Sequence, residues 1–100
     1  MNESSGRKKK DLYSGGDGSS IENAIVINDQ PTMLHPFINI KHEFKYLEAL
    51  YKKDKIKFVV QDRSEILRRK RFYERLKIEL SNGEKKEFYF DITNFRGKIF

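Results

Sequence analysis

Four apolar residues in unbroken succession, Ala24, Ile25, Val26 and Ile27, are the first hydrophobic signal along the chain. Continuous apolarity over so few residues, bounded by turn formers, predicts a buried strand. A loop follows over residues 29–36, where Pro31 and Pro36 remove two backbone donors. The period then changes. Ile40, Phe44, Leu47 and Tyr51 recur at steps of four, three and four, which places them on one helical face. Asn39 stands where an N-cap is needed, Glu43 falls in the early turns, and Lys52 and Lys53 occupy the last turn, where the dipole favours cations. The spacing predicts a helix over residues 40–53. Residues 56–61, IKFVVQ, are β-branched and aromatic and predict a strand.

The tract RSEILRRKRFYERLKIELSNG fits two periods. As a strand it sets Phe72, Leu76, Ile78 and Leu80 on one face, with Glu74 the misfit. As a helix it gathers Ile66, Phe72, Tyr73, Leu76 and Leu80 on an arc of roughly 120°. The next segment, KEFYFDI, alternates cleanly: Phe88, Phe90 and Ile92 against Glu87, Tyr89 and Asp91. Asn82-Gly83 between the two is a hairpin signal. A two-residue loop would oppose Leu76 to Tyr89 and mix charge into the apolar face. A three-residue loop, Ser81-Asn82-Gly83, opposes Leu76 to Phe88 and Phe72 to Ile92, and places glycine where a left-handed residue is required. One consistent apolar face results, so strands are expected over about 71–80 and 85–92, with a bulge at Gly83.

The expected architecture is a single small α+β domain over residues 12–100 in the order β-α-β-β-β. A mostly antiparallel sheet packs one face on one helix. The buried set should include Ile25, Ile27, Phe44, Leu47, Tyr51, Phe58, Leu76, Ile78, Phe88, Phe90 and Ile92. Phe95, Ile99 and Phe100 could clip the end onto the core. Residues 1–11, with Lys8, Lys9 and Lys10 together and nothing to bury, read as a disordered tail.

Composition narrows the function classes. There is no cysteine among the 100 residues, which removes thiol chemistry, disulfides and cysteine-based zinc sites. The opening residues lack the apolar core of a signal peptide, Asn2 excludes myristoylation, and no apolar run approaches a membrane span. A cytoplasmic setting without a membrane partner is expected. The net charge of +6 permits nucleic acid or acidic protein as partner and demands neither.

The candidate chemistry is sparse. Gly15, Gly16, Asp17 and Gly18 could form an anion nest, but the cluster precedes a strand and lacks a following Gly-Lys-Ser/Thr, so a tight turn is the plainer reading. Asp17 and Glu22 do not complete a calcium cage. His35 and His42 are too few for a zinc site and are expected to be exposed. No cofactor or metal is implied, and no catalytic residue is assigned. Asp91 and Glu74 are the acidic candidates for acid–base work; Asp91 reads as a strand terminator and Glu74 as a partner of nearby arginines. On a strand, Arg69, Arg71, Arg75 and Lys77 would project from the solvent face, with Tyr73 and Tyr89 beside them. Cations interleaved with aromatics can hold phosphate and stack bases; they can equally guard a sheet against aggregation.

The opening YSGGDGSSIENAIVI and the closing FYFDITNFRGK resemble a group of small bacterial proteins of about this length, with the helix EFKYLEALY a looser likeness. The resemblance implies a β meander after the helix and implies no activity. In that group a second Phe often stands where Arg96 stands here, which adds a charge to the basic side. Three function classes follow: a small adaptor working through protein contacts, with an aromatic patch of Tyr13, Phe37, Phe95 and Phe100; nucleic-acid binding through the basic face between Arg68 and Lys77; and a compact ribonuclease-type toxin, for which no positioned acid and base are evident.

Overall fold

A computed structural model describes residues 11–96. In chain order they form β1 (Tyr13–Gly15), β2 (Ile25–Ile27), α1 (Ile38–Lys52), β3 (Phe58–Arg68), β4 (Arg71–Leu80), β5 (Lys85–Asp91) and a 3₁₀ turn (Thr93–Phe95). The predicted tail lies outside these residues save for Asp11, as do Ile99 and Phe100. The five strands make one sheet in the order β1-β2-β5-β4-β3. All neighbouring pairs are antiparallel except β2 with β5. The expected α+β class and the β meander after the helix are both present. Among the described residues no helix is long and apolar enough to cross a membrane.

The loop at Gly83 sets the register of the second half. Leu80 donates to and accepts from the ends of the loop: its N–H reaches the Glu84 carbonyl at 2.8 Å, and its carbonyl accepts from Gly83 at 2.8 Å. Gly83 has φ +94°, which glycine adopts without a Cβ clash. Leu76 therefore opposes Phe88, and the Ile92 N–H bonds the Phe72 carbonyl at 2.8 Å. This is the register that apolar alternation requires. Leu76, Ile78, Phe88, Phe90 and Ile92 all turn to the helix side, joined by Ile25, Ile27, Leu47, Leu80 and Phe95 in one buried cluster. Each large apolar side chain enclosed there contributes about 1.5–3 kcal/mol. Phe95 docks the chain end on the core as expected.

Three expectations need correction. The chain has an extra strand, so the order is ββαβββ: β1 is three residues long, too short to show alternation. The strand predicted over 56–61 instead runs from Phe58 to Arg68. It is interrupted by a bulge between Val60 and Asp62 and ended by a two-residue turn. Arg69 (φ 52°) and Lys70 (φ 66°) make that turn in the left-handed region; neither is the Asn or Gly that normally announces it, so the sequence carries no signal. The helix begins two residues early. Phe37 occupies its N-cap position without a side-chain cap bond, and Asn39 is inside the helix with its side chain buried. The buried stripe of α1 is thus Asn39, Glu43 and Leu47. Phe44, together with Tyr51 and Phe58, is half-buried rather than enclosed.

Aromatic edges tie the layers together. Tyr13 meets Tyr46 edge-on at 5.1 Å, Tyr46 meets Phe90 at 5.9 Å, and the Tyr13 hydroxyl donates to the His42 carbonyl at 2.7 Å. Such contacts join β1, the helix and the central strand in one chain of rings.

Candidate functional site

The face of the sheet opposite the helix carries the predicted cation–aromatic surface. Arg71, Tyr73, Arg75 and Lys77 alternate along β4, and Tyr89 of β5 stands directly opposite Arg75. Arg69 does not join them; it sits in the turn between β3 and β4, because the strand ends one residue before it. Most of these cations already have partners. The Arg71 Nε donates to Asp91 at 2.8 Å, Lys77 lies 4.0 Å from Glu87, and the Arg75 guanidinium donates to the Ser64 hydroxyl at 3.1 Å. Tyr89 donates to Glu87 at 3.4 Å. Arg68 and Arg71 are directly opposite in the ladder, a like-charge pair that destabilises unless neutralised. Glu22, 3.4 Å from Arg68, and Asp91 perform that neutralisation. The face is a mixed-charge lattice, with its bare cations concentrated at the hairpin tip.

Asp91 ends β5 and is buried under three hydrogen bonds. Besides Arg71 it accepts from the Thr93 N–H at 3.0 Å and the Thr93 hydroxyl at 2.6 Å.

The glycine cluster forms the β1–β2 connection. Gly15 has φ +84°, and a Cβ there would stand 2.5 Å from the Ala24 carbonyl oxygen. The N–H groups of Gly16, Gly18 and Ser19 are engaged inside the turn, with the carbonyls of Ala24 (3.0 Å) and Asn23 (2.7 Å) and the Asp17 carboxylate (3.0 Å). Hydrogen bonding from the Ser19 hydroxyl, and then from its N–H, holds the Asp17 carboxyl below its usual range. The Gly18 carbonyl accepts from Tyr89 at 2.8 Å, so the turn is fastened to β5. The cluster's donors close the hairpin, and its Gly18 carbonyl clamps it to the sheet.

A buried polar group lies between α1 and the sheet, and the sequence reading did not assemble it. The Arg63 Nη1 is 2.7 Å from Glu43 and 3.2 Å from Glu74. The Asn39 amide donates to Glu43 at 3.3 Å and to Glu74 at 3.5 Å. Glu43 is fully enclosed and Glu74 nearly so. Burial pushes the Glu43 carboxyl up to about 8, helped by its hydrogen bond and repulsion with Glu74 and opposed by Arg63. At neutral pH the pair therefore holds a proton. Glu74 is the predicted arginine partner, but its arginine is Arg63 from β3. The signal for the group was Glu74 on an apolar strand face and Glu43 between Ile40, Phe44 and Leu47. A carboxyl in either place must find a partner or a proton. Neither glutamate lines the groove between α1 and β3 or the hollows beside the glycine turn, the 28–32 segment and the start of β3.

The histidines separate. His35 is exposed, whereas His42, expected to be exposed too, is half-buried with Nε2 2.8 Å from Asp29. That hydrogen bond holds the Asp29 carboxyl down and fastens the 29–36 loop to the helix. Among the described residues no group of three or more His, Cys, Asp or Glu side chains could hold a metal ion.

Besides Leu50, Val59 and Leu67, apolar side chains are exposed first in the loop that leads into α1. Met33, Leu34 and Phe37 are 80%, 86% and 66% exposed. They ride on a turn closed by bonds between Thr32 and His35 (3.3 Å and 3.0 Å). The expected aromatic patch is not built: Phe95 is in the core, Tyr13 is committed to the helix, Phe100 lies outside the described residues, and Phe37 alone stands free. The second place is an open groove of about 1000 Å³ between α1 and the start of β3. Comparison of the chain with protein-family models, with curated proteins and with solved structures finds no match in any of the three.

Proposed function

We propose that this chain is a small cytoplasmic binding module that acts through protein contacts made on its helix side. The exposure of Met33, Leu34 and Phe37 carries the reading. Three large apolar side chains within five residues, held out by a hydrogen-bonded turn, form a patch of the kind a partner covers. The resemblance of both chain ends to small bacterial proteins belongs to the same proposal and adds no activity to it. The test is capture of partners from nuclease-treated lysate by the tagged chain and by its Met33→Ser/Leu34→Ser/Phe37→Ser variant. A partner that survives nuclease and is lost with the variant is expected. Retention that depends wholly on intact nucleic acid overturns the reading.

Nucleic-acid binding is the second reading, and one observation favours it. Arg68, Arg69, Lys70 and Arg71 are consecutive and exposed at the tip of the β3–β4 hairpin, with Tyr73, Arg75 and Tyr89 behind them. Phosphate contacts release counterions, so retention on heparin at about 50 mM salt and a steep loss with added salt should follow. Arg69→Ser/Lys70→Ser should flatten that slope by about two charges. A ribonuclease-type activity has less support, because the Glu43 and Glu74 carboxyl groups are enclosed. Normal growth on overexpression and intact RNA in the presence of the protein would remove it.

A further inference from the structure

The groove between α1 and β3 combines an apolar floor with a cationic rim. Phe44 and Phe58 stack on each other at 5.9 Å with 21° between their planes, and Ala49 and Ile56 complete the floor. Lys45 and Lys52 line it from the helix, Lys55 and Lys57 from the connection to β3, against the single carboxylate of Glu48. None of these four lysines belongs to an ion pair among the described residues. The cations of the outer sheet face contrast with them, since Arg71 and Lys77 are spoken for. The rim is thus uncompensated positive charge around a surface that water solvates poorly.

Lys55 adds a second observation. The helix ends in a Schellman motif, with the Ile56 N–H on the Tyr51 carbonyl at 3.2 Å and the Lys55 N–H on the Lys52 carbonyl at 3.0 Å. The left-handed residue of that motif is normally glycine. Here it is Lys55, at φ 57°. A strained position that keeps its ammonium group is what a functional rim requires.

We propose that this groove docks an acidic amphipathic segment of a partner protein, its apolar side chains on Phe44 and Phe58 and its carboxylates on the lysine rim. The proposal rests on the protein-binding reading above and adds to it a place and a partner chemistry. An acidic segment with apolar residues at helical spacing satisfies both features of the groove at once. A bare polyanion satisfies the rim alone.

The experiment is fluorescence anisotropy with a labelled synthetic peptide of Asp and Glu carrying Leu and Phe at helical spacing. Its Asn/Gln counterpart and a single-stranded oligonucleotide of equal charge serve as competitors. Only the acidic amphipathic peptide should bind well. Lys52→Glu/Lys55→Glu should weaken it about tenfold or more, through lost attraction at a rim. Ala49→Gln, on an exposed helix position, should weaken it by filling the floor without altering the rim's charge. Binding that ignores either variant, equal competition by the oligonucleotide, or no binding by the peptide overturns the proposal. Partner capture that is lost with the Met33/Leu34/Phe37 variant yet untouched by the groove variants would sink this inference and leave the protein-binding reading standing.

Discussion

Arg63 places its Nη1 2.7 Å from an oxygen of Glu43, and on the Glu43 side that contact is closed to solvent. One guanidinium from β3 thus meets two carboxyl groups, one from the helix and one from β4. Charge neutrality is reached only if one carboxyl keeps a proton. The helix is docked on the sheet through that guanidinium as well as through Leu47.

The pH dependence of stability follows. The Glu43 carboxyl goes from its ordinary 4.5 to about 8 on folding, so the folded state binds the proton more tightly. Its stabilising effect is complete below about pH 4.5, declines as pH rises, and is lost above about pH 8, with a slope of up to about 1.4 kcal/mol per pH unit. Glu43→Gln, which keeps the shape and cannot ionise, should remove this slope and exceed the parent in stability at high pH. Urea midpoints measured from about pH 5 to about pH 9 check it; parallel curves for the two proteins would refute it.

Removing the cation should do the reverse. Arg63→Gln leaves two carboxyl groups facing each other inside the fold. The expected loss at neutral pH is about 2–4 kcal/mol, below the full range for a buried pair because Arg63 keeps some solvent contact. Adding Glu43→Gln should restore most of it, since the amide is buried beside Glu74 without the proton that Glu43 must take up on folding. A double variant no more stable than the single would place the damage elsewhere.

Two glycines should respond unequally to alanine. Gly83 has open space around its missing Cβ, so only its left-handed backbone resists, at about 1 kcal/mol. Gly15 shares the positive φ and would also drive its Cβ onto the Ala24 carbonyl, a backbone atom that cannot swing away. Thermal melts should show Gly15→Ala as the more destabilised, with the Tyr13–Ile27 pairing loosened in amide exchange.

Lys55→Gly should raise stability by about 1 kcal/mol, by relieving the left-handed strain at the helix end. The same variant should bind the acidic peptide less well. A gain in stability without any change in binding would make Lys55 an unused cation.

Much of the fold was legible because its signals are local. The alternation of Phe88, Phe90 and Ile92, the glycine in Ser81-Asn82-Gly83 and the helical spacing from Ile40 to Tyr51 each need only a few neighbouring residues to be read. The short β1 and the Arg69-Lys70 turn escaped because one is too brief for a period and the other uses residues that any charged loop contains. The candidate surfaces were legible in composition but not in outcome. Arg71 and Lys77 do face outward, yet whether such a cation is free depends on Asp91 and Glu87 in the neighbouring strand.

The chain's own order of residues determined its helix, the strands from Ile25 and after Gly83, the register of its last hairpin and most of its core, because periodicity and turn geometry act within a few residues. The tertiary structure alone decided that Asn39, Glu43, Arg63 and Glu74 converge, and that four lysines surround Phe44 and Phe58. Those groups come from different elements, and their charge states depend on what packing brings within a few ångströms and what it shuts away from water.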